Sequence, residues 1–267
     1  MSDIYMFPGC LIPTRLPYLE VSSRYVLDRL DVRHSPLPDA TCCVEPIGLR
    51  SLHVEAWMVT SARMLAIAER DGRDLLTLCN GCYMSLSQAR KLLMDRAERD
   101  RVNEHLDPLG LEYKGSVDVY NLAEMVHSLG EGRYEEAVTA PQSTRSVALH
   151  PGCHLTEAPI MDGFDAMAAL EDIVRWSGSE VCCWGDGLCC GGGLSGAHDD
   201  LGRSMMEDTL EFYRNAGATE ILTPCPFCFI QFDVRQKKGM PVTFLSEIMA
   251  LAMGADPGPM GMSMHRQ

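Results

Sequence analysis

The sequence is short of basic residues, of aromatic residues and of long apolar runs, and each shortage removes a class of function. Twenty-three Lys and Arg face 37 Asp and Glu, a formal net charge of −14. Phosphate backbones are held by basic patches, so this balance argues against nucleic acid as a partner. The longest uninterrupted apolar stretches, such as residues 248–253, fall far below the roughly 20 residues that a membrane-spanning helix needs. Residues 1–15 carry no basic segment followed by a long apolar one, so no secretory signal is expected and the expected location is cytoplasmic. No P-loop and no flavin signature is present, so any electrons the chain uses must arrive from a partner. What remains, with 46% hydrophobic and 22% charged residues, is an ordinary globular composition.

Against that background the chain holds twelve cysteines. In a reducing compartment they favour metal ligation or redox chemistry over a disulfide scaffold. Ten of them form one arrangement used twice. The first copy is Cys10, a gap of 31 residues, Cys42-Cys43, a gap of 35, then Cys79-Asn80-Gly81-Cys82. The second is Cys153, a gap of 35, Cys189-Cys190, a gap of 34, then Cys225-Pro226-Phe227-Cys228. The flanks repeat too. Phe7-Pro8-Gly9-Cys10 answers to His150-Pro151-Gly152-Cys153, and Leu75-Leu76-Thr77-Leu78-Cys79 to Ile221-Leu222-Thr223-Pro224-Cys225. Val119-Tyr120-Asn121-Leu122-Ala123-Glu124 answers to Val242-Thr243-Phe244-Leu245-Ser246-Glu247, after an insertion of about 23 residues in the first copy.

Short apolar runs at 4–7 and 147–150 end at Pro-Gly, as strands do before a tight turn; runs at 75–78 and 220–223 feed the two CxxC motifs. Helical spacing links Leu16, Leu19, Val26, Leu27 and Leu30, then Val54, Trp57, Met58, Ala62, Leu65 and Ala66, and in the second half Leu201, Met205, Phe212 and Ala216. Alternating strands and helices predict an α/β fold made of two pseudo-duplicated halves, each a small parallel-sheet unit. The expected division is residues 1–140, 146–253 and a tail, 254–267, that either frays or uses its methionines to dock on a partner. The joint near 130–145 has linker chemistry. Cys10, Cys79, Cys153 and Cys225 each sit just past a strand, where such sheets bind ligands.

Thiolates select zinc, copper(I) or iron–sulfur clusters. Five per half is one more than a closed zinc site or an ordinary cubane requires. A zinc site with one spectator, an iron–sulfur site and a redox thiol set all stay open on spacing alone. Each CxxC is expected to open a helix, whose N–H groups and dipole favour thiolate charge.

The doubled pattern, with Cys189-Cys190-Gly191 in the second half, resembles the cysteine-rich CCG domain family, in particular the B-type subunits of the heterodisulfide reductases of methanogens. The resemblance spans roughly residues 4–253. It implies a noncubane [4Fe–4S] cluster in each half, the first on Cys10, Cys42, Cys43, Cys79 and Cys82, the second on Cys153, Cys189, Cys190, Cys225 and Cys228. It implies a shared cavity where the coenzyme M–coenzyme B disulfide is reduced. The implied partners are a small ferredoxin-like subunit and a flavin-containing subunit, in a complex with a hydrogenase or formate dehydrogenase. A related subunit from glycolate, lactate, thiol:fumarate or sulfur oxidation is the alternative within redox chemistry; a zinc-stapled scaffold is the alternative outside it.

Several neighbours have two readings. His154, in Gly152-Cys153-His154, is the candidate catalytic residue, as a donor to cluster or substrate sulfur or as a proton source; its bland role is a turn cap. His150 reads as structural. Gly9, Gly81, Gly152 and Gly191 to Gly193 allow close backbone approach to a bulky group. Cys182-Cys183 lies outside the pattern, either a spectator pair or alternative ligands. The first half departs from Cys-Cys-Gly, reading Cys42-Cys43-Val44-Glu45-Pro46. Arg15, Arg50 and Lys114 are available for substrate anions, and the sequence does not choose among them.

Overall fold

The computed structural model describes residues 3–44, 48–143, 145–157, 164–185, 187–237 and 239–266. The first half runs β1 (Ile4–Phe7), α1 (Leu11–Arg15), α2 (Pro17–Arg29), β2 (His34–Pro36), α3 (Leu49–Leu52), α4 (Val54–Arg70), β3 (Leu75–Thr77), α5 (Asn80–Leu92), α6 (Arg96–Leu106), β4 (Val119–Asn121), α7 (Leu122–Ser128) and α8 (Glu131–Ala137). The second runs β5 (Ser146–Leu149), α9 (Cys153–Thr156), α10 (Ala166–Trp176), β6 (Glu180–Trp184), α11 (Asp199–Asn215), β7 (Glu220–Thr223), α12 (Pro226–Ile230), β8 (Val242–Phe244) and α13 (Leu245–Ala252).

The duplication holds down to strand register. Both sheets are parallel and four-stranded, in the orders β2-β1-β3-β4 and β6-β5-β7-β8. Tyr5 pairs with Leu75 and Leu75 with Val119; their counterparts Ala148, Ile221 and Val242 pair in the same way. Strands β1, β3, β5 and β7 are covered by helices and read as continuous apolar runs for that reason. In each sheet the chain reverses its winding between the first strand and its CxxC-feeding neighbour. That places the lone cysteine and the CxxC on either side of the topological switch point.

The halves exchange their last helices. Helix α13 packs against α2, and its counterpart α7 packs against α10, the counterpart of α2. Buried hydroxyls pin α13 to α2 and α8 to the end of α10: Ser22 Oγ lies 2.7 Å from Ser246 Oγ, and the Tyr134 hydroxyl lies 2.6 Å from Ser177 Oγ. His127 stacks on Trp176 at 5.4 Å while its Nε2 sits 3.0 Å from Asp172. Both α7 and α13 begin directly at a strand end. A glutamate three residues into the helix, Glu124 or Glu247, accepts the backbone N–H at the junction. The insertion in the first half is α6 and the loop that follows it.

Three expectations change. The joint between halves is not loose: it contains α8, with Tyr134 and Ala137 buried, and Thr139 and Ala140 donate to the Ala252 carbonyl. Helix α11 turns a different face inward from the one its apolar spacing suggested. Leu201 and Phe212 are exposed, while Gly202, Met206, Thr209, Leu210 and Tyr213 are buried. Small and hydroxylated residues hide that face from a periodicity search. Here Gly202 is needed because the Gly191 loop lies so close that a Cβ on Gly202 would meet the Gly191 carbonyl oxygen at 2.8 Å.

The segment after 254 folds back as well. Met260 is buried, and the Arg266 N–H donates to Asp233 at 3.0 Å. His265 Nε2 lies 2.8 Å from the fully buried Glu247, with its ring 5.3 Å from Tyr18 and 5.2 Å from Phe229. Two buried carboxylates, unreadable as a pair from sequence, supply the anchor. Burial disfavours the His265 imidazolium, but Glu247 and then Asp233 outweigh it and raise the imidazole above its ordinary value. The linkage follows. This stabilisation is complete below about pH 6.5, where the unfolded imidazole is already protonated, and is lost as pH rises through the raised folded value. His265→Ala is expected to cost about 1.5–3 kcal/mol at pH 6. In urea unfolding the gap from wild type narrows at pH 9; a pH-independent gap contradicts the ion pair.

Candidate metal centres

Each cysteine is positioned by backbone the sequence dictates. Gly9 and Gly152, just past β1 and β5, have φ of +76° and +78°, a region glycine tolerates. A side chain there would also collide: a Cβ on Gly9 would lie 2.7 Å from Cys82 Sγ, and one on Gly152 would lie 3.2 Å from Cys225 Cβ and 3.4 Å from Cys228 Sγ. Cys79 and Cys225 are extended residues at the N-caps of α5 and α12. Pro226 occupies the first turn of α12, where a missing N–H costs nothing.

In the first half, electrostatic and hydrogen-bond coupling links Cys10, Cys42, Cys43, Cys79 and Cys82 into one group. Cys10 and Cys42 are exposed; Cys43, Cys79 and Cys82 are buried. Cys79 is held below the ordinary thiol range, chiefly because the Cys82 thiol donates to it; the Cys82 and Gly81 N–H groups add to this against the cost of burial. Cys82 is raised in turn by its bonds to Cys43 and Cys79 and by burial. The hydrogen bonds thus favour the thiolate at Cys79 and the thiol at Cys82.

The second half gathers Cys153, Cys189, Cys190, Cys225 and Cys228 in the same way. Here Cys190 is the sulfur held low, by Cys189, Cys228 and His150, while Cys189 and Cys228 are raised. Burial, followed by the Cys225 and Cys190 sulfurs, raises Cys153 to about 11. Backbone N–H groups of Gly191 and Gly192 point at the Cys189 and Cys190 sulfurs, each at 3.4 Å. A π turn after α12 aims Gln231 at the Cys190 carbonyl, 3.1 Å away. Residues 191–196 spell Gly-x-Gly-x-x-Gly, but they follow the cysteine loop rather than a strand, so they form no dinucleotide turn.

The two groups adjoin. Helix α5, which carries Cys82, packs against α9 of the other half, and α12 packs against α1. Asn80, fully buried, donates from Nδ2 to the Pro151 carbonyl at 2.8 Å and accepts from Asn121 Nδ2 at 3.0 Å. It ties the first CxxC to the residue before Gly152-Cys153. His154 crosses the same boundary: a Cβ on Gly81 would lie 3.4 Å from His154 Nδ1 and 3.7 Å from Cys79 Sγ.

The remaining candidates separate cleanly. Cys182 and Cys183 lie on strand β6, with sulfurs 3.7 Å apart, and Cys182 bonds the Val147 carbonyl. Arg15 ends α1, the helix that begins after Cys10. Arg50 lies over the Trp57 ring at 4.7 Å and bonds Gln88. Lys114 belongs to the inserted segment and pairs with Glu112. Glu45 and Pro46 lie outside the described residues. His150 is buried, and one of its nitrogens lies within 4.8 Å of the Cys190 and Cys228 sulfurs. Sequence reasoning missed Tyr213, whose hydroxyl is 2.7 Å from His150 Nδ1, because 63 residues separate the two.

Five soft donors, largely buried, with N–H groups aimed at sulfur and backbone approaches that exclude a Cβ, fit an iron–sulfur group in each half. Fold and site thus define a duplicated cysteine-rich domain. The model of the cysteine-rich domain family CCG matches residues 4–87 and 147–233, and the chain belongs to that family. It is 34% identical to the B subunit of the ferredoxin/F420H2-dependent CoB-CoM heterodisulfide reductase of Methanosarcina acetivorans, covering 98% of this chain and 92% of that one. It is 29% identical to a protein of Archaeoglobus profundus described as like the heterodisulfide reductase B subunit (94% and 91% covered). It is 26% identical to the 8-methylmenaquinol:fumarate reductase membrane anchor subunit of Wolinella succinogenes (98% and 96%). A solved structure of a hypothetical protein from Helicobacter pylori shares the fold, with a TM-score of 0.78 at 16% identity over 99% of this chain; the chain spans about half of that protein. Among the described residues no helix is long and apolar enough to cross a membrane.

Burial sets an order of thiol reactivity. In metal-free protein an alkylating reagent is expected to label Cys10, Cys42, Cys153 and Cys182 first, and Cys79, Cys82, Cys225 and Cys228 last. Peptide mapping by mass spectrometry checks this; uniform labelling of native protein contradicts the burial pattern.

Proposed function

We propose that this chain is the disulfide-reducing component of a larger oxidoreductase, acting on the coenzyme M–coenzyme B heterodisulfide and holding one noncubane [4Fe–4S] cluster in each half. What supports the reading most is the adjacency of two equivalent five-sulfur groups, with His154 of one half over the CxxC of the other. Cys10, Cys42, Cys43, Cys79 and Cys82 would hold the first cluster, and Cys153, Cys189, Cys190, Cys225 and Cys228 the second. When bound, such clusters supply single electrons at potentials set by cluster charge, hydrogen bonds to sulfur and exposure.

The reaction adds two electrons and two protons to RS–SR′ and releases RSH and R′SH. The chain's own residues bind and orient. The Asn80–Pro151 bond fixes the spacing of the two groups, and the exposed edge at Cys10, Cys42 and Cys153 leaves the substrate a way in. His154 holds a proton at the boundary and delivers it to a departing sulfur; imidazole is the side chain suited to that near neutral pH. Arg15, on the helix that begins after Cys10, would meet a sulfonate or phosphate of the substrate. The electrons come from partner proteins, one ferredoxin-like and one flavin-containing, themselves linked to a hydrogenase or formate dehydrogenase. The complex is cytoplasmic on this reading.

Similarity to the Wolinella protein favours a second reading, in which the same groups relay electrons within another reductase, such as one acting on fumarate. Anaerobic iron and sulfide analysis is expected to give about eight irons per chain. One zinc per half without sulfide ends both readings. With reduced viologen as donor, the first reading expects heterodisulfide turnover; iron-replete protein without turnover supports the second. His154→Gln is expected to lower kcat at least about 10-fold while iron content stays unchanged; an unaltered kcat removes its proton role.

A further inference from the structure

The two sulfur groups differ at a few positions, and one of these lies where β1 and β5 end. The first half has Phe7 there and the second has His150. His150 is 1% exposed, edge-on to Phe232 at 4.9 Å, with Nδ1 2.7 Å from the Tyr213 hydroxyl. A nitrogen of the same ring lies within 4.8 Å of both the Cys190 and Cys228 sulfurs. With Nδ1 taken by the phenol, Nε2 is the nitrogen left for sulfur. Burial keeps Tyr213 protonated, so it has a hydrogen to give. Gly185 makes the pair possible: a Cβ there would lie 1.8 Å from the Tyr213 oxygen and 3.1 Å from His150 Nδ1. The construction is specific. It takes β5, α11 and a glycine past β6 to hold one imidazole.

We infer that His150 is a positioning residue that makes the second site unlike the first: Tyr213 O–H donates to Nδ1, fixing the tautomer in which Nε2–H points at the Cys190 and Cys228 sulfurs. A hydrogen bond to a ligating sulfur draws electron density from it and favours the reduced, more negative state of the centre. The bond therefore raises the potential of the second site and favours it as the first to take an electron. The inference rests on the proposed iron–sulfur reading and deepens it, because two sites of unequal potential receive electrons in a set order.

The test is a redox titration of the anaerobically prepared full chain, followed by EPR, with iron and sulfide measured on every sample. His150→Phe copies this chain's own first half and keeps an edge-packed ring. It is expected to move one reduction wave to lower potential, leave the other in place and retain all the iron. His150→Gln, whose amide keeps a donor, restores part of the shift. Tyr213→Phe moves the same wave in the same direction by less. If neither His150→Phe nor Tyr213→Phe moves a wave in iron-replete protein, this inference fails and the iron–sulfur reading stands. Loss of half the iron from His150→Phe overturns it differently, by making His150 a ligand. Wild type without iron or sulfide removes the underlying reading and the inference together. Nitrogen NMR of metal-free protein checks the tautomer independently: a protonated Nδ1 in His150 overturns the assignment.

Discussion

Thiols gathered five at a time resist losing their protons, because each thiolate raises the cost of the next in a poorly solvated site. Hydrogen bonds between the sulfurs ease that cost unevenly: Cys79 in one group and Cys190 in the other are shifted toward the thiolate by the neighbouring thiols that bond to them. A cation that displaces those protons removes the repulsion at once, so metal binding and proton release are one event in such a site. Much else serves this crowding. Left-handed glycines let the strand ends come within contact of sulfur, helix starts supply N–H groups, and the switch point of each sheet leaves the space.

Repetition made much of this legible. Two imperfect copies of one pattern carry more information than one, since they mark the cysteines that belong together and leave Cys182 and Cys183 outside. The strand at Ile4–Phe7 and the strand at Glu220–Thr223 follow from local chemistry, and the structure has them there. What stayed hidden was nonlocal or carried by residues with no apolar signature. The inward face of α11 rests on Gly202 and Thr209, which look like surface, and on Tyr213, whose purpose is a histidine in another element. The fold-back of the terminal segment depends on Asp233 and Glu247, which are ordinary acids until the fold buries them.

Duplication also sets a baseline against which differences can be read. Phe7 and His150 stand at equivalent positions with opposite hydrogen-bonding capacity; Asn80 and Pro226 do the same within the two CxxC motifs. In both cases the polar member makes a defined bond and the apolar member fills space. Symmetry supplies the scaffold, and its local failures give the two sites separate characters.

The exchange of α7 and α13 has a mechanical consequence. Because each half completes its hydrophobic layer with the other's final helix, no plane divides the molecule without exposing core on both sides. Hinge bending at the joint is therefore unavailable as a soft motion, and the span between the sulfur groups is as stiff as the interior itself. On the proposed reading, an electron crossing that span meets a distance that thermal rocking leaves almost constant.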